Sequence, residues 1–270
     1  MKAGDTFDLN ATANPDLLDV QYVSSDESVV RVTDEGIVTA VGAGTATISL
    51  TVGDGIMYHF NTTNVTVNVK KSNTVILAED FTQYACDYYE GERGGNFTFQ
   101  LVDEKGNSVA NKTIYIGYNG VTLNRTTDAN GYAAVQINLL NEGLYTFVIV
   151  FLDDDGYHAS MAVHKVTIKK KTTSISASAK TFKATAKTKK YTVTLKTIKG
   201  ASIDGKTYLK AGKKVTLKIN GKTYTAKINS KGKATFNLKI TKKGKFAAVI
   251  KFAGSNTYQA SSKQVKITIK

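Results

Sequence analysis

Apolar and polar residues alternate with a period of two along much of this chain. Tyr191, Val193 and Leu195 alternate with threonine, and Val215, Leu217 and Ile219 alternate with Thr216 and Lys218. The same beat runs through Ala234, Phe236, Leu238 and Ile240, through Phe246, Ala248, Ile250 and Phe252, and through Val265, Ile267 and Ile269. Such alternation turns one face of each strand to a core and the other to water, as antiparallel sandwiches require. Apolar residues nowhere recur at helical spacing over a helix-length window, so the pattern predicts an all-β fold. Asn119-Gly120 and Asn220-Gly221 fall between alternating runs and predict type I′ hairpins.

The pattern also repeats. A shift of 101 positions lays residues 112–169 on 213–270 without a gap. Asn119-Gly120 falls on Asn220-Gly221, Gly131 on Gly232, Gly143 on Gly244, and Thr167-Ile168-Lys169 on Thr268-Ile269-Lys270. Upstream, Phe97 to Leu101 matches Tyr191 to Leu195, which leaves seven extra residues in the later copy around Ile203 to Tyr208. Two copies of one unit follow, with boundaries near 71 and 171. Short strands with frequent turns in units of this size are the immunoglobulin-like pattern. The expectation is three tandem Ig-like β-sandwich domains, 1–70, 71–170 and 171–270, arranged as an elongated rod. The chain has no Trp and one Cys, so these are not antibody-type domains.

The first stretch differs from the repeated pair. It carries Ser24-Ser25-Asp26 and then Gly36-Ile37-Val38-Thr39-Ala40-Val41-Gly42-Ala43-Gly44-Thr45, and closes on alternating Val65, Val67 and Val69. These residues resemble the bacterial Ig-like domains of group 2, known from intimin- and invasin-type surface proteins. The repeated units carry Leu101-Val102-Asp103-Glu104-Lys105-Gly106-Asn107, Asn119-Gly120 and Tyr157 to Ser160, matched later by Leu195, Ile219-Asn220-Gly221 and Phe252 to Tyr258. They resemble the Ig-like repeats of adhesin-like surface proteins of methanogenic archaea. The resemblance implies extracellular display on the cell surface, attachment to other cells or surfaces, and no catalytic residues. It also implies that such a chain ends on the last strand of its last unit, here at Lys270. The third unit departs from the pattern, having Gly254-Ser255-Asn256 where an acidic residue is usual.

Composition changes the picture mainly through charge. The net charge of +14 is unevenly spread. Residues 1–71 carry four Lys/Arg against nine Asp/Glu, and residues 72–170 carry seven against twelve, so each stands at −5. Residues 171–270 carry 25 Lys, no Arg and only Asp204, which gives +24. An asymmetry of this size marks a change of environment or partner along the chain. Lys214, Lys218, Lys227, Lys239, Lys251 and Lys266 alternate with core positions and are expected to face outward. Ammonium groups without guanidinium are point charges and poor bidentate readers, which disfavours nucleic acid and suits an anionic cell wall or polymer. The plainer alternative is a coat that keeps strand edges soluble.

Other candidate chemistry is sparse. Asp153-Asp154-Asp155-Gly156 bunches hard oxygen donors in the loop before a closing strand and could hold calcium, or serve the turn alone. No other cofactor is expected. His59, His158 and His164 fall in no metal-ligand spacing, and no nucleophile elbow, phosphate loop or dinucleotide fingerprint is present. Cys86 is expected to be a free, partly buried thiol, and a disulfide within the chain is excluded. A Lys–Asn isopeptide crosslink in the third unit would have Asp204 as its acid. Asn10, Asn61, Asn64, Asn96, Asn111 and Asn124 begin Asn-x-Ser/Thr sequons, all before residue 171. No apolar run approaches a membrane span.

Met1 stands directly against strand-like sequence, so the chain is expected to be a monomeric fragment of a longer protein. The expected function is a non-enzymatic adhesin or stalk segment that attaches to other cells or surfaces, its basic unit against an anionic polymer. The alternatives are an inert spacer carrying an upstream binding head, or a third unit that is itself the head for a partner cell's polyanion.

Overall fold

The computed structural model describes residues 1–14, 16, 18–198 and 209–270. The extra stretch around Ile203 to Tyr208, with Asp204, lies outside the described residues. Among those described, the only helical element is a single 3-10 turn at Tyr88–Glu90, and the rest is strand and turn.

The first seventy residues form β1 (Thr6–Asp8), β2 (Gln21–Ser24), β3 (Val30–Val32), β4 (Ile37–Ala40), β5 (Gly44–Val52) and β6 (Asn61–Val69). They make two three-stranded sheets, β1-β4-β3 and β2-β5-β6. The β5–β6 ladder runs from Gly44↔Val69 to Val52↔Asn61. Its alternation sorts the residues: Ala46, Ile48 and Val67 join Val30, Val38 and Ala40 in one buried cluster, while Thr45, Thr47 and Ser49 face away.

Next come β7 (Thr74–Ala78), β8 (Phe81–Tyr84), β9 (Asn96–Asp103), β10 (Thr113–Tyr118), β11 (Val121–Thr126), β12 (Tyr132–Gln136), β13 (Gly143–Phe151) and β14 (Ser160–Lys169). Their sheets run β12-β9-β7 and β11-β10-β13-β14-β8. The last eight strands are β15 (Thr173–Ser176), β16 (Lys180–Phe182), β17 (Lys190–Thr197), β18 (Lys214–Ile219), β19 (Lys222–Lys227), β20 (Lys233–Asn237), β21 (Gly244–Phe252) and β22 (Ser261–Ile269). Their sheets run β15-β17-β20 and β16-β22-β21-β18-β19, the same order strand for strand. The sequence repeat is therefore a repeat of topology. Both copies also place a short strand parallel to the closing one, β8 on β14 and β16 on β22.

The hairpins match their sequence signal. Asn119 and Gly120 have φ of 46° and 74°, and Asn220 and Gly221 repeat those values, so both central residues are left-handed as a type I′ turn requires. In the last copy Tyr191, Val193, Leu195, Val215, Leu217, Phe236, Ala248, Ile250 and Ile267 are buried in one cluster. Phe246 and Val265 keep the alternation but are only partly buried at its margin. The chain packs as two compact units. One comprises 1–79, 98–134 and 147–164, the other 80–97, 135–146 and 165–270. The middle strands contribute to both.

Candidate functional site

Five of the six lysines expected to face outward share one surface, the outer face of the sheet β16-β22-β21-β18-β19. Lys214 and Lys218 stand on β18, Lys227 on β19, Lys251 on β21 and Lys266 on β22, all exposed. Register brings them together. Lys214 lies directly opposite Lys227, Lys251 is opposite both Thr216 and Ser262, and Lys218 is opposite Thr223. Lys245, exposed and opposite Thr268, belongs to the same face. Counting back from Lys251 in steps of two would have found it. Lys239 stands apart, because β20 ends at Asn237 and the apolar alternation of Leu238 and Ile240 runs on past the ladder. Its N–H donates to the Tyr224 hydroxyl at 3.1 Å.

Directly opposed like charges destabilise a sheet. Among the described residues none of these six facing lysines has a carboxylate partner. Lys214, Thr216, Lys251, Ser261 and Ser262 line a shallow open groove on this side. The sister copy shows that the fold does not demand this coat. The positions of Lys214, Lys218, Lys227, Lys245, Lys251 and Lys266 are held there by Thr113, Gly117, Thr126, Leu144, Val150 and Lys165. Gly117 is not conformationally required either, since a Cβ there would meet nothing closer than 4.0 Å.

The acidic loop lies between β13 and β14 and is built into a joint. The Asp153 carboxylate pairs with Lys71 and approaches His158 Nδ1 at 3.3 Å. Asp154 pairs with Lys112 at 2.7 Å, and its other oxygen accepts the N–H groups of Gly156 and Tyr157 at 2.9 and 2.8 Å. The Asp155 carbonyl accepts the Ala43 N–H at 2.8 Å. Lys71 holds the Asp153 carboxyl below the usual carboxylate range. Lys2–Glu104 and Lys105–Asp5 pair beside this joint, and Ser72 Oγ donates to the Ala3 carbonyl at 2.7 Å. Among the described residues, no three His, Cys, Asp or Glu side chains are arranged to hold a metal ion. Calcium at Asp153–Asp155 would have to displace two lysines.

The third unit repeats the joint with different charges. Ser72 bridges Tyr157, and at the equivalent place Lys171 bridges Tyr258. Lys112 stands 4.9 Å from the Tyr157 ring, and Lys213 stands 5.7 Å from that of Tyr258. The Asp154 position is Ser255 in this copy, so the carboxylates come from elsewhere. Glu92 pairs with Lys171, whose side chain is 2% exposed, and Glu90 pairs with Lys213 at 3.2 Å. Both acids come from the loop around the 3-10 turn, which Asp87 caps by accepting the Glu90 N–H. The acid missing from the closing loop at residues 254–256 is thus supplied by the loop around the 3-10 turn.

The remaining candidates are quickly placed. Cys86 is a free thiol, fully buried rather than partly, 3.5 Å from Asn138 Oδ1, and burial pushes its pKa up. That is the setting of an inert thiol. For the isopeptide reading, Asp204 lies outside the described residues, while the buried Lys189 ammonium donates to the carbonyls of Ala184 and Ala186. His59 and His158 are exposed, and His164 is half-buried on β14. Asn10, Asn61, Asn64, Asn96, Asn111 and Asn124 are all exposed.

The bacterial Ig-like domain (group 2) family matches residues 2–57. A curated relative, 3-O-alpha-D-galactosyl-alpha-L-arabinofuranosidase of Bifidobacterium longum subsp. longum, is 46% identical over 54 residues, 19% of this chain. The chain spans 5% of that protein, so its activity does not transfer. Among solved structures, the chain is similar to one concerning host cell surface retention of a 1.5-MDa bacterial ice-binding adhesin. That likeness has 15% identity and a TM-score of 0.33, and covers 94% of this chain and 87% of that one. It is also similar to invasin, a bacterial integrin-binding protein, at 16% identity and a TM-score of 0.40, covering 73% of this chain and 39% of that one. Likenesses this distant assign no function. No helix among the described residues is long and apolar enough to cross a membrane.

Proposed function

We propose that this chain is a non-enzymatic segment of an extracellular surface adhesin or stalk. Its three domains meet near 71 and 171, and the third uses its lysine face to hold an anionic wall or surface polymer. One observation carries the reading. Six lysines share an exposed sheet face, two of them directly opposed, with no carboxylate among the described residues to offset them. The sister copy keeps the same sheet order with a single lysine at these positions, so the charge is an addition to the fold and not a condition of it. Lysine without arginine suits a polymer of repeated charge, where no single group needs bidentate recognition. The exposed sequons, confined to residues 1–170, are proposed glycan acceptors. The group 2 match supports a surface setting.

The test uses the full chain. Wild type and a variant with Lys214, Lys218, Lys227, Lys251 and Lys266 changed to Ser are sedimented with purified anionic cell walls at low and high salt. Wild type should pellet at low salt only, and the variant at neither. Equal pelleting of both would remove the lysine face from the account.

A further inference from the structure

We infer that the lysine face also receives a second copy of this chain, through exposed carboxylates of that copy's first sandwich. The inference rests on the face being an anion-binding surface, and adds a partner that the polymer reading does not contain.

Charge complementarity is the first ground. Residues 171–270 carry +24 and residues 1–71 carry −5, so the first sandwich of one molecule is attracted to the third of another. The pairing pattern within the described chain is the second. Lys171 and Lys213, third-unit lysines with carboxylate partners, take them from Glu92 and Glu90, which lie outside residues 171–270 in the sequence. The unit's own sequence offers only Asp204, so its lysines are built to look outward for anions. Third, the first sandwich has carboxylates to give. Asp19, Glu27, Asp34 and Glu35 are exposed, and none is in an ion pair among the described residues. Asp5, by contrast, is already paired with Lys105 at the joint.

Such a contact joins two different surfaces of the same chain. It is heterologous, so each molecule keeps one free lysine face or one free acidic face and association can continue head to tail. Dense arrays of a surface protein would then bind one another sideways or across a gap.

Sedimentation velocity of the full chain gives the test. Wild type should associate with rising concentration at about 50 mM NaCl, and at least about tenfold more weakly at about 500 mM. Two variants should each be monomeric: the five-lysine Ser variant, and Asp19→Asn, Glu27→Gln, Asp34→Asn, Glu35→Gln. All nine side chains are exposed, so folding should survive, and far-UV circular dichroism checks that it does. An equimolar mixture of the two variants keeps one intact acidic face and one intact lysine face. It should therefore form dimers and nothing larger. Monomeric wild type at low salt, or a mixture that stays monomeric, overturns the inference. Wall binding by the acid variant would separate the two proposals, since it leaves the polymer reading standing when self-association has failed.

Discussion

Replacing Lys171 with Met should destabilise the third sandwich far more than a surface lysine would. The side chain is 2% exposed, and its Glu92 partner is 16% exposed. Its ammonium stands 5.3 Å from the Tyr258 ring. Removing one member of a buried pair strands the other charge in low dielectric, at a cost of about 3–5 kcal/mol. Here the lower end applies, about 3 kcal/mol, because Glu92 keeps some access to water and its second oxygen accepts the Asp87 N–H at 2.7 Å. Glu92→Gln should cost a similar amount by leaving the more deeply buried ammonium unpaired. The double variant, Lys171→Met with Glu92→Gln, should recover most of the loss, because neither charge is then left alone. The chain has 14 Tyr and no Trp, so urea unfolding can be followed by tyrosine fluorescence. The double-mutant cycle should give a coupling of about 2 kcal/mol or more. Additive losses below about 1 kcal/mol each would show the pair behaving as an ordinary surface contact, and the burial reasoning would be wrong.

Three further outcomes follow from the joint between the first and second sandwiches. Gly156→Val should lower stability by about 1–3 kcal/mol, because a Cβ there would lie 2.8 Å from the Val41 carbonyl and 3.3 Å from Ala3 Cβ; chemical denaturation reads it. Lys105, Lys2 and Lys71 depress the carboxyl groups of Asp5, Glu104 and Asp153. Their contribution is therefore present above the unfolded carboxylate range, near pH 4, and lost as pH falls through the lower folded values. Melting scans should show an acid limb below about pH 4 that shallows in Asp5→Asn, Glu104→Gln, Asp153→Asn. Calcium and a chelator should each move the melting temperature by less than about 1 °C, because Lys71 and Lys112 hold the Asp153 and Asp154 carboxylates. A rise that saturates with calcium would restore the loop as a metal site.

Most of the fold was legible because its signals are local. A two-residue period says which face is buried, and Asn-Gly says where a strand reverses, without knowledge of distant neighbours. The 101-residue repeat then carried one copy's reading to the other. What escaped was set by distance. β16 is three residues, Lys180–Phe182, and only its parallel pairing with β22, more than 80 residues on, defines it as a strand. In the sequence Lys171 reads as any solvated lysine, since the Glu92 that neutralises it lies 79 residues away. Leu238 and Ile240 kept the strand rhythm after the ladder had ended, and so drew Lys239 into a face it does not join. The lysine face itself was half legible: alternation gave the outward direction, and only cross-strand register showed Lys214 against Lys227.

The central claim is that the lysine face is an anion-binding surface and not a solubility coat. The salt dependence of affinity for a soluble polyanion such as polyglutamate measures this most directly. Wild type should give a steep linear fall of log K with log salt concentration, and the slope should shrink by about one for each facing lysine changed to Ser. Serine replacements at Lys187, Lys231 and Lys242, exposed but off strands β18, β19, β21 and β22 that carry the face, should leave it nearly unchanged. If they flatten the slope as much as the facing lysines do, only total charge matters and the face has no special role.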